Sequence, residues 1–263
     1  SADIISTHDA SVSMLDTGEV GAVKRAAPCI HLLGCPADKP QHLLGLDGNL
    51  RDVYSRVVHG ARVSLQVGIL TVGFAILLGI LVGSVAGFMG GWLDNILMRL
   101  MDVLLAFPSL LLAIAIVTVL GPGLINAQLA IGIVAIPVYA RVMRASVLSI
   151  REQDFVTASR ALGESSVGIL ARRILPNALT PLIVQGTLGI AGAILDVAAL
   201  SFLGLGAQPP LAEWGSMIGL ERNQLFTAPH VVFAPGVAIT LTVLAFNLLG
   251  DGLRDALDPR LNR

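Results

Sequence analysis

Residues 63–93 read VSLQVGILTVGFAILLGILVGSVAGFMGGWL, thirty-one consecutive residues between Arg62 and Asp94 without one charged side chain. A membrane-crossing helix needs about 20 such residues, so this stretch predicts a transmembrane helix, span A, over 64–88. A second uncharged run of 38 residues, Val103 to Ala140, is too long for one ordinary crossing. Gly121-Pro122-Gly123 interrupts it, because proline lacks the N–H that a helix uses and glycine favours turns. Two spans are expected there, B over 103–120 and C over 124–141. Span D follows at 178–197, with Asp196 near its end, and span E at 231–249.

Composition agrees with these spans. Of 263 residues, 54% are hydrophobic, 28 are glycine and only 13% are charged, with a mean hydropathy of +0.79. Ordinary globular domains carry about 25% charged residues, and a soluble fold of this size could not cover itself with half of that. The expected fold class is an all-α polytopic membrane protein with five transmembrane helices in this chain. Its parts are a polar segment at 1–62, a transmembrane domain at 63–250 with a loop at 142–176, and a tail at 251–263. The net charge of −1 gives no indication of nucleic-acid binding. The only lysines are Lys24 and Lys39, so no nucleotide-binding G-x-x-x-x-G-K-[ST] loop can be written. If ATP drives this protein, another chain binds it. The first 25 residues hold no apolar core flanked by positive charge and do not read as a signal peptide.

Small residues recur in the spans at helical spacing: Gly79, Gly83 and Gly87 in A, and Gly186, Gly189 and Gly192 in D. Such stripes admit a second helix at close range; exposed glycine backbone lining a pore is the other reading. Pro108, Pro137 and Pro181 are expected at or near span ends. Arginine placement sets the orientation. Arg141, Arg144, Arg151, Arg160, Arg172 and Arg173 between C and D, Arg99 between A and B, and Arg254, Arg260 and Arg263 in the tail stand on one side. Against these ten stands Arg222 alone, which predicts a cytoplasmic C–D loop and C-terminus. Segment 1–62, with six cations of its own, is then extracytoplasmic, and five spans with this orientation lead to the expectation of a sixth helix upstream of Ser1.

The loop between C and D predicts two short helices. In the first, Phe155, Ala158 and Leu162 share one face, and Gly163 is placed as the C-cap. In the second, Val167, Leu170 and Ile174 are apolar, and Pro176 closes it before span D. The run Thr157-Ala158-Ser159, Gly163, then Leu175-Pro176 resembles the E-A-A-x3-G-x9-I-x-L-P loop of ABC importer permeases. Thr157, Ser159 and Arg173 depart from that pattern. Further stretches are similar to the peptide-importer branch: His42-Leu43-Leu44-Gly45-Leu46-Asp47 with Gly48-Asn49-Leu50-Arg51-Asp52-Val53, and Gly60-Ala61-Arg62-Val63-Ser64-Leu65. So are Gly90-Gly91-Trp92-Leu93-Asp94, Leu105-Ala106-Phe107-Pro108, Ser201-Phe202-Leu203-Gly204-Leu205-Gly206 and the terminal Asn247 to Pro259. The resemblance, covering about 42–263, is to the DppC/OppC-type permease subunits of bacterial ABC dipeptide/oligopeptide importers.

That resemblance implies a type I ABC importer permease fold and a non-catalytic subunit of the bacterial cell membrane. It implies a second homologous permease, two ATP-binding subunits carrying ATP and Mg, and an extracytoplasmic peptide-binding protein. Thr157, Ala158, Ser159 and Gly163 are the residues it places in coupling to the ATPase subunit, within 154–173, and bulky Phe155 and Leu162 are the candidates for insertion into the ATPase groove. Metal-chelate permeases share these motifs and remain an alternative; an ion-coupled secondary transporter, which would want mid-membrane carboxylates and internal repeats, is another.

Other polar residues carry open readings. Arg99 and Asp102 are three apart and can pair on one helix face, anchoring the membrane interface with Asp94. Asp196 either flanks the translocation path or serves packing or capping. Cys29 and Cys35 fit a disulfide, two free thiols, or a metal site with His31 and His42; the last lacks tetrahedral-site spacing, and no metal is expected. His8, His31, His42, His59 and His230 form no recognisable triad with serine and acid, so no catalytic residues are assigned.

Overall fold

The computed structural model describes residues 23–30, 35–36 and 42–257. His8, His31, Lys39, Arg260 and Arg263 lie outside the described residues. Among the described residues the chain is helical, with two isolated β-bridges, Cys29 to His42 and Leu46 to Asp52.

Four helices are long and apolar enough to cross a membrane, and a fifth crossing is available if a bent pair counts as one. Helix α1 spans Val53–Met89; it begins eleven residues before the expected span A and so includes the end of the segment read as polar. Span B is corrected. A helix α2, Gly91–Leu105, and a helix α3, Ser109–Leu120, meet at a 90° bend around Ala106, Phe107 and Pro108. Proline has no N–H to donate and disfavours helical geometry in the residue before it, so the apolar run cannot continue as one rod. Helix α4, Leu124–Arg151, extends span C by ten residues into the expected loop. Pro137 sits inside it, not at its end.

The second loop helix is also corrected. Pro176 closes nothing. Helix α5, Asp154–Ala161, is followed by a short turn and then by one 37-residue apolar rod, Ser166–Phe202. That rod comprises α6 (Ser166–Gly168), a π-helical stretch Ile169–Ile174, and α7 (Leu175–Phe202). The π stretch lies just ahead of Pro176 and shifts hydrogen-bond acceptors by one residue, as wide turns do where a ladder must absorb an imperfect member. Pro181 also lies within α7. A short helix α8, Trp214–Glu221, precedes α9, Pro229–Leu257, which carries Pro235 internally and outruns span E at both ends.

The chain divides into two compact units. The first takes Ser1–Gly68, Val117–Ala127 and Ile194–Val243. In it Gly215 and Gly219 of α8 lie against the backbone of Ala198 and Phe202 on α7; a Cβ on Gly219 would meet the Phe202 carbonyl at 2.6 Å. Trp214 is buried with Ala198, Met217 and Ile239, and its indole N–H donates to the Val57 carbonyl at 2.9 Å.

The second unit takes Ile69–Ile116, Gln128–Ala193 and Leu244–Arg263. Its core gathers Val72 and Ala75 of α1, Tyr139, Met143, Val147 and Ile150 of α4, Val156 of α5, and Ile169, Ile174, Ala178 and Leu182. The glycine stripe of α1 forms the seam with α4. A Cβ on Gly79 would lie 2.5 Å from Tyr139 Cβ, one on Gly83 would strike the Ala140 carbonyl, and one on Gly87 would meet the Arg144 carbonyl at 3.0 Å. Gly186 and Gly189 approach Ile76 and Tyr139 in the same way, whereas Gly192 has nothing within 4 Å. Close helix packing therefore accounts for five of the six glycines singled out.

Candidate functional site

Between the end of α4 at Arg151 and the start of the long rod at Ser166, the second unit presents apolar side chains from the short, tightly capped helix α5. Helix α5 ends in a two-bond C-cap. The Gly163 N–H donates to the Arg160 carbonyl and the Glu164 N–H to the Ser159 carbonyl, both at 3.1 Å. That motif needs a left-handed residue at its pivot, and Gly163 has φ +81°. The Ser165 hydroxyl then accepts from the Gly168 N–H at 3.2 Å, starting the next helix.

The faces of α5 are sorted. Val156 and Ser159 point inward, Val156 joining the core of the second unit. Phe155, Thr157, Ala158, Leu162 and Gly163 are exposed, Leu162 at 88%. Ser159 thus stands apart from the other residues assigned to the coupling face: it is buried, and its hydroxyl donates to the Phe155 carbonyl at 2.9 Å. Arg173, where the family pattern has isoleucine, pairs with Glu164 at 3.0 Å, and the Asn177 amide donates to the Arg173 carbonyl at 2.7 Å.

Three of the arginines counted for orientation, all on α4, are engaged. The Arg144 guanidinium donates both Nε–H and Nη2–H to the two carboxylate oxygens of Asp94, each at 2.6 Å. Arg141 Nη2 lies 2.6 Å from Asp102 Oδ1. The expected Arg99–Asp102 pair is therefore corrected: Asp102 reaches across to Arg141 of α4. Arg151 Nη1–H donates to the carbonyls of Gly87 and Phe88 at 3.0 and 3.3 Å, serving acceptors that the end of α1 leaves open.

Asp196 sits six residues inside the end of α7, half-buried, with no hydrogen bond or ion pair to a described residue. Cys29 and Cys35 are joined by a disulfide. Among the described residues no group of three His, Cys, Asp or Glu side chains could hold a metal ion.

Sequence reasoning missed a buried charge cluster in the first unit. Asp47 accepts from the N–H groups of Asn49 and Arg51 and from Arg51 Nε, at 2.8 to 2.9 Å; Arg56 Nε lies 3.7 Å away. Glu221 accepts from Arg25 Nε and the Gly48 N–H, both at 2.8 Å. Glu213, 2% exposed, caps α8 by accepting from Gly215 and Ser216 N–H at 2.9 and 2.8 Å. Burial pushes its carboxyl above the usual carboxylate range, and these hydrogen bonds pull the other way. The turn signal Asp47-Gly48-Asn49 was readable; the partner 173 residues away was not.

A fold of long membrane-crossing helices with a short capped helix displayed between two of them is the arrangement of a transporter's membrane subunit. The chain belongs to the family of binding-protein-dependent transport system inner membrane components, which it matches over residues 76–263. It is 51% identical over 221 residues to the dipeptide transport system permease protein DppC of Alkalihalophilus pseudofirmus, covering 84% of this chain and 73% of that one. It is 53% identical to the di/tripeptide permease protein DppC of Pseudomonas aeruginosa, covering 83% and 72%. To the glutathione transport system permease protein GsiD of Escherichia coli it is 49% identical, covering 84% and 73%. Among solved structures, an inward-facing form of the MetNI methionine ABC transporter shares the fold with a TM-score of 0.61, 20% identity, and coverage of 77% and 96%. The type I importer permease fold and the multi-pass membrane location stand on these grounds.

Proposed function

We propose that this chain is the transmembrane permease subunit of an ATP-driven importer of di- and oligopeptides. It forms the translocation path with a second homologous permease and takes its substrate from an extracytoplasmic peptide-binding protein. ATP and Mg bind on two partner ATPase subunits; this chain catalyses nothing itself. The observation that carries the reading is the outward presentation of Phe155 and Leu162 from a helix whose opposite face is fixed in the core. Exposed apolar side chains on a short rigid element suit insertion into a groove of a partner, and two well-separated contacts transmit a displacement better than a floppy loop does. Relatives named for dipeptides, di/tripeptides and glutathione support a peptide as cargo. They do not favour a metal chelate or an ion-coupled secondary mechanism.

The ten-to-one arginine asymmetry supports a cytoplasmic coupling loop and C-terminus and an extracytoplasmic start of α1. Asp196, an ionisable group inside a span, is our candidate beside the translocation path. The test is purification of the complex in mild detergent from wild type and from Phe155→Ala/Leu162→Ala. Two ATPase subunits and a second permease should accompany the wild-type chain, and the double variant should lose most of the ATPase. A wild-type chain that purifies without ATPase subunits would refute the assignment.

A further inference from the structure

In the second unit, Arg141, Arg144 and Arg151 share one face of α4, at i, i+3 and i+10. Each holds a different point on the preceding helices: Asp102 and Asp94 of α2, and the last carbonyls of α1. Beyond Arg151 only Glu152 and Gln153 separate α4 from α5. The turn is held by the Gln153 N–H donating to the Ile150 carbonyl at 3.1 Å, and Val147, Ile150 and Val156 pack in one core cluster. The glycine seam locks α1 to α4 along the same stretch. Helix α2 has no such seam with α4; its hold on α4 combines the packing of Met98 and Met101 with Ile136 and Ala140 and the two ion pairs.

We propose that Asp94, Asp102, Arg141 and Arg144 are positioning residues for energy coupling: they clasp α2 to α4 so that a push on α5 moves the α1–α2 elbow as one body with the coupling helix. The inference rests on the coupling reading above. The chemistry favours a stiff joint. A two-point guanidinium–carboxylate pair fixes angle as well as distance, and with Asp94 12% and Arg144 34% exposed the pair is partly shielded from water. Packed side chains, ion-pair networks and rigid helices carry coupling between sites, and a softer link among them takes up part of a displacement. Without the clasp α5 would still dock on its ATPase and the ATPase would still turn over, but part of each stroke would be lost at the α2–α4 joint.

The test compares assembled complexes of wild type, Arg144→Asp, Asp94→Arg and the double exchange, scored as peptide transported per ATP hydrolysed in proteoliposomes. Each single exchange should keep its ATPase subunits yet lower this ratio about tenfold, within the usual span of coupling energies, and the double exchange should recover most of it. Singles that couple like wild type, or a double exchange no better than the singles, would overturn the clasp. Should a buried exchange fail to assemble, the half-exposed pair decides: Asp102→Cys/Arg141→Cys should couple poorly until bridged by a bifunctional thiol reagent, and well afterwards. Loss of transport on bridging would mean the helices must part during the cycle, which also overturns it. A wild-type preparation without ATPase subunits overturns the coupling reading, and this inference with it.

Discussion

The entry into α1 and its C-terminal half hold their neighbours by opposite means. Around Asp47, Arg51 and Arg56 the first unit uses buried charges, each with a carboxylate, guanidinium or backbone partner. Along Gly79, Gly83 and Gly87 the second unit uses the absence of side chains. The difference follows from the solvent each region faces during assembly. In hydrocarbon there is little hydrophobic drive between helices, so association depends on close van der Waals approach, and small residues provide it. Where the chain leaves the apolar runs, water competes for every polar group, and a network must satisfy its members completely to persist.

The comparison is broken most directly by adding volume to the seam. Gly83→Leu would drive a side chain into the Ala140 carbonyl, and overpacking of this kind costs about 3 kcal/mol; a large fall in the melting temperature of the purified complex should be read by light scattering in detergent. Next comes the charged region. Glu213→Ala leaves the N–H groups of Gly215 and Ser216 without their acceptor inside a buried site, for about 2 kcal/mol, whereas Glu213→Gln, which keeps one oxygen, should lose less in the same melt. The C-cap of α5 ranks third. Gly163→Val forces a branched residue into φ +81°, costing about 1–2 kcal/mol locally; the chain should insert normally while peptide uptake falls. The smallest effect sharpens the contrast within one helix. A Cβ on Gly73 meets nothing within 4 Å, so Gly73→Ala should stabilise α1 by about 0.5–1 kcal/mol. A destabilised Gly73→Ala would mean that the seam explanation is too narrow.

Much of the site was legible from residues alone. The cap at Gly163 and the outward set Phe155, Ala158 and Leu162 follow from helical spacing, because a short amphipathic helix has few ways to lie. The burial of Ser159 was not legible: the resemblance groups it with Thr157 and Ala158, and only the packing of Val156 into the core shows that its side of α5 is turned inward. Pro176 misled for a related reason. A proline ordinarily stops a helix, but the preceding π stretch lets the rod run on to Phe202, and nothing local in the sequence announces a wide turn.

Hydropathy, arginine placement and glycine spacing are properties of the chain taken a helix at a time. They determined that this protein is helical and membrane-embedded and roughly where its apolar runs cross, since a bilayer imposes a minimum length and an internal hydrogen-bonding solution on every span. The helix ends, up to twelve residues from the expected bounds, and the bend in span B came only with the folded structure. Partner choice is different, because a charge can pair with any opposite charge that the fold brings near. Asp102 with Arg141, Asp94 with Arg144 and Glu221 with Arg25 join residues 39 to 196 positions apart. Only the tertiary structure could decide those pairs, because it alone sets which helix faces meet.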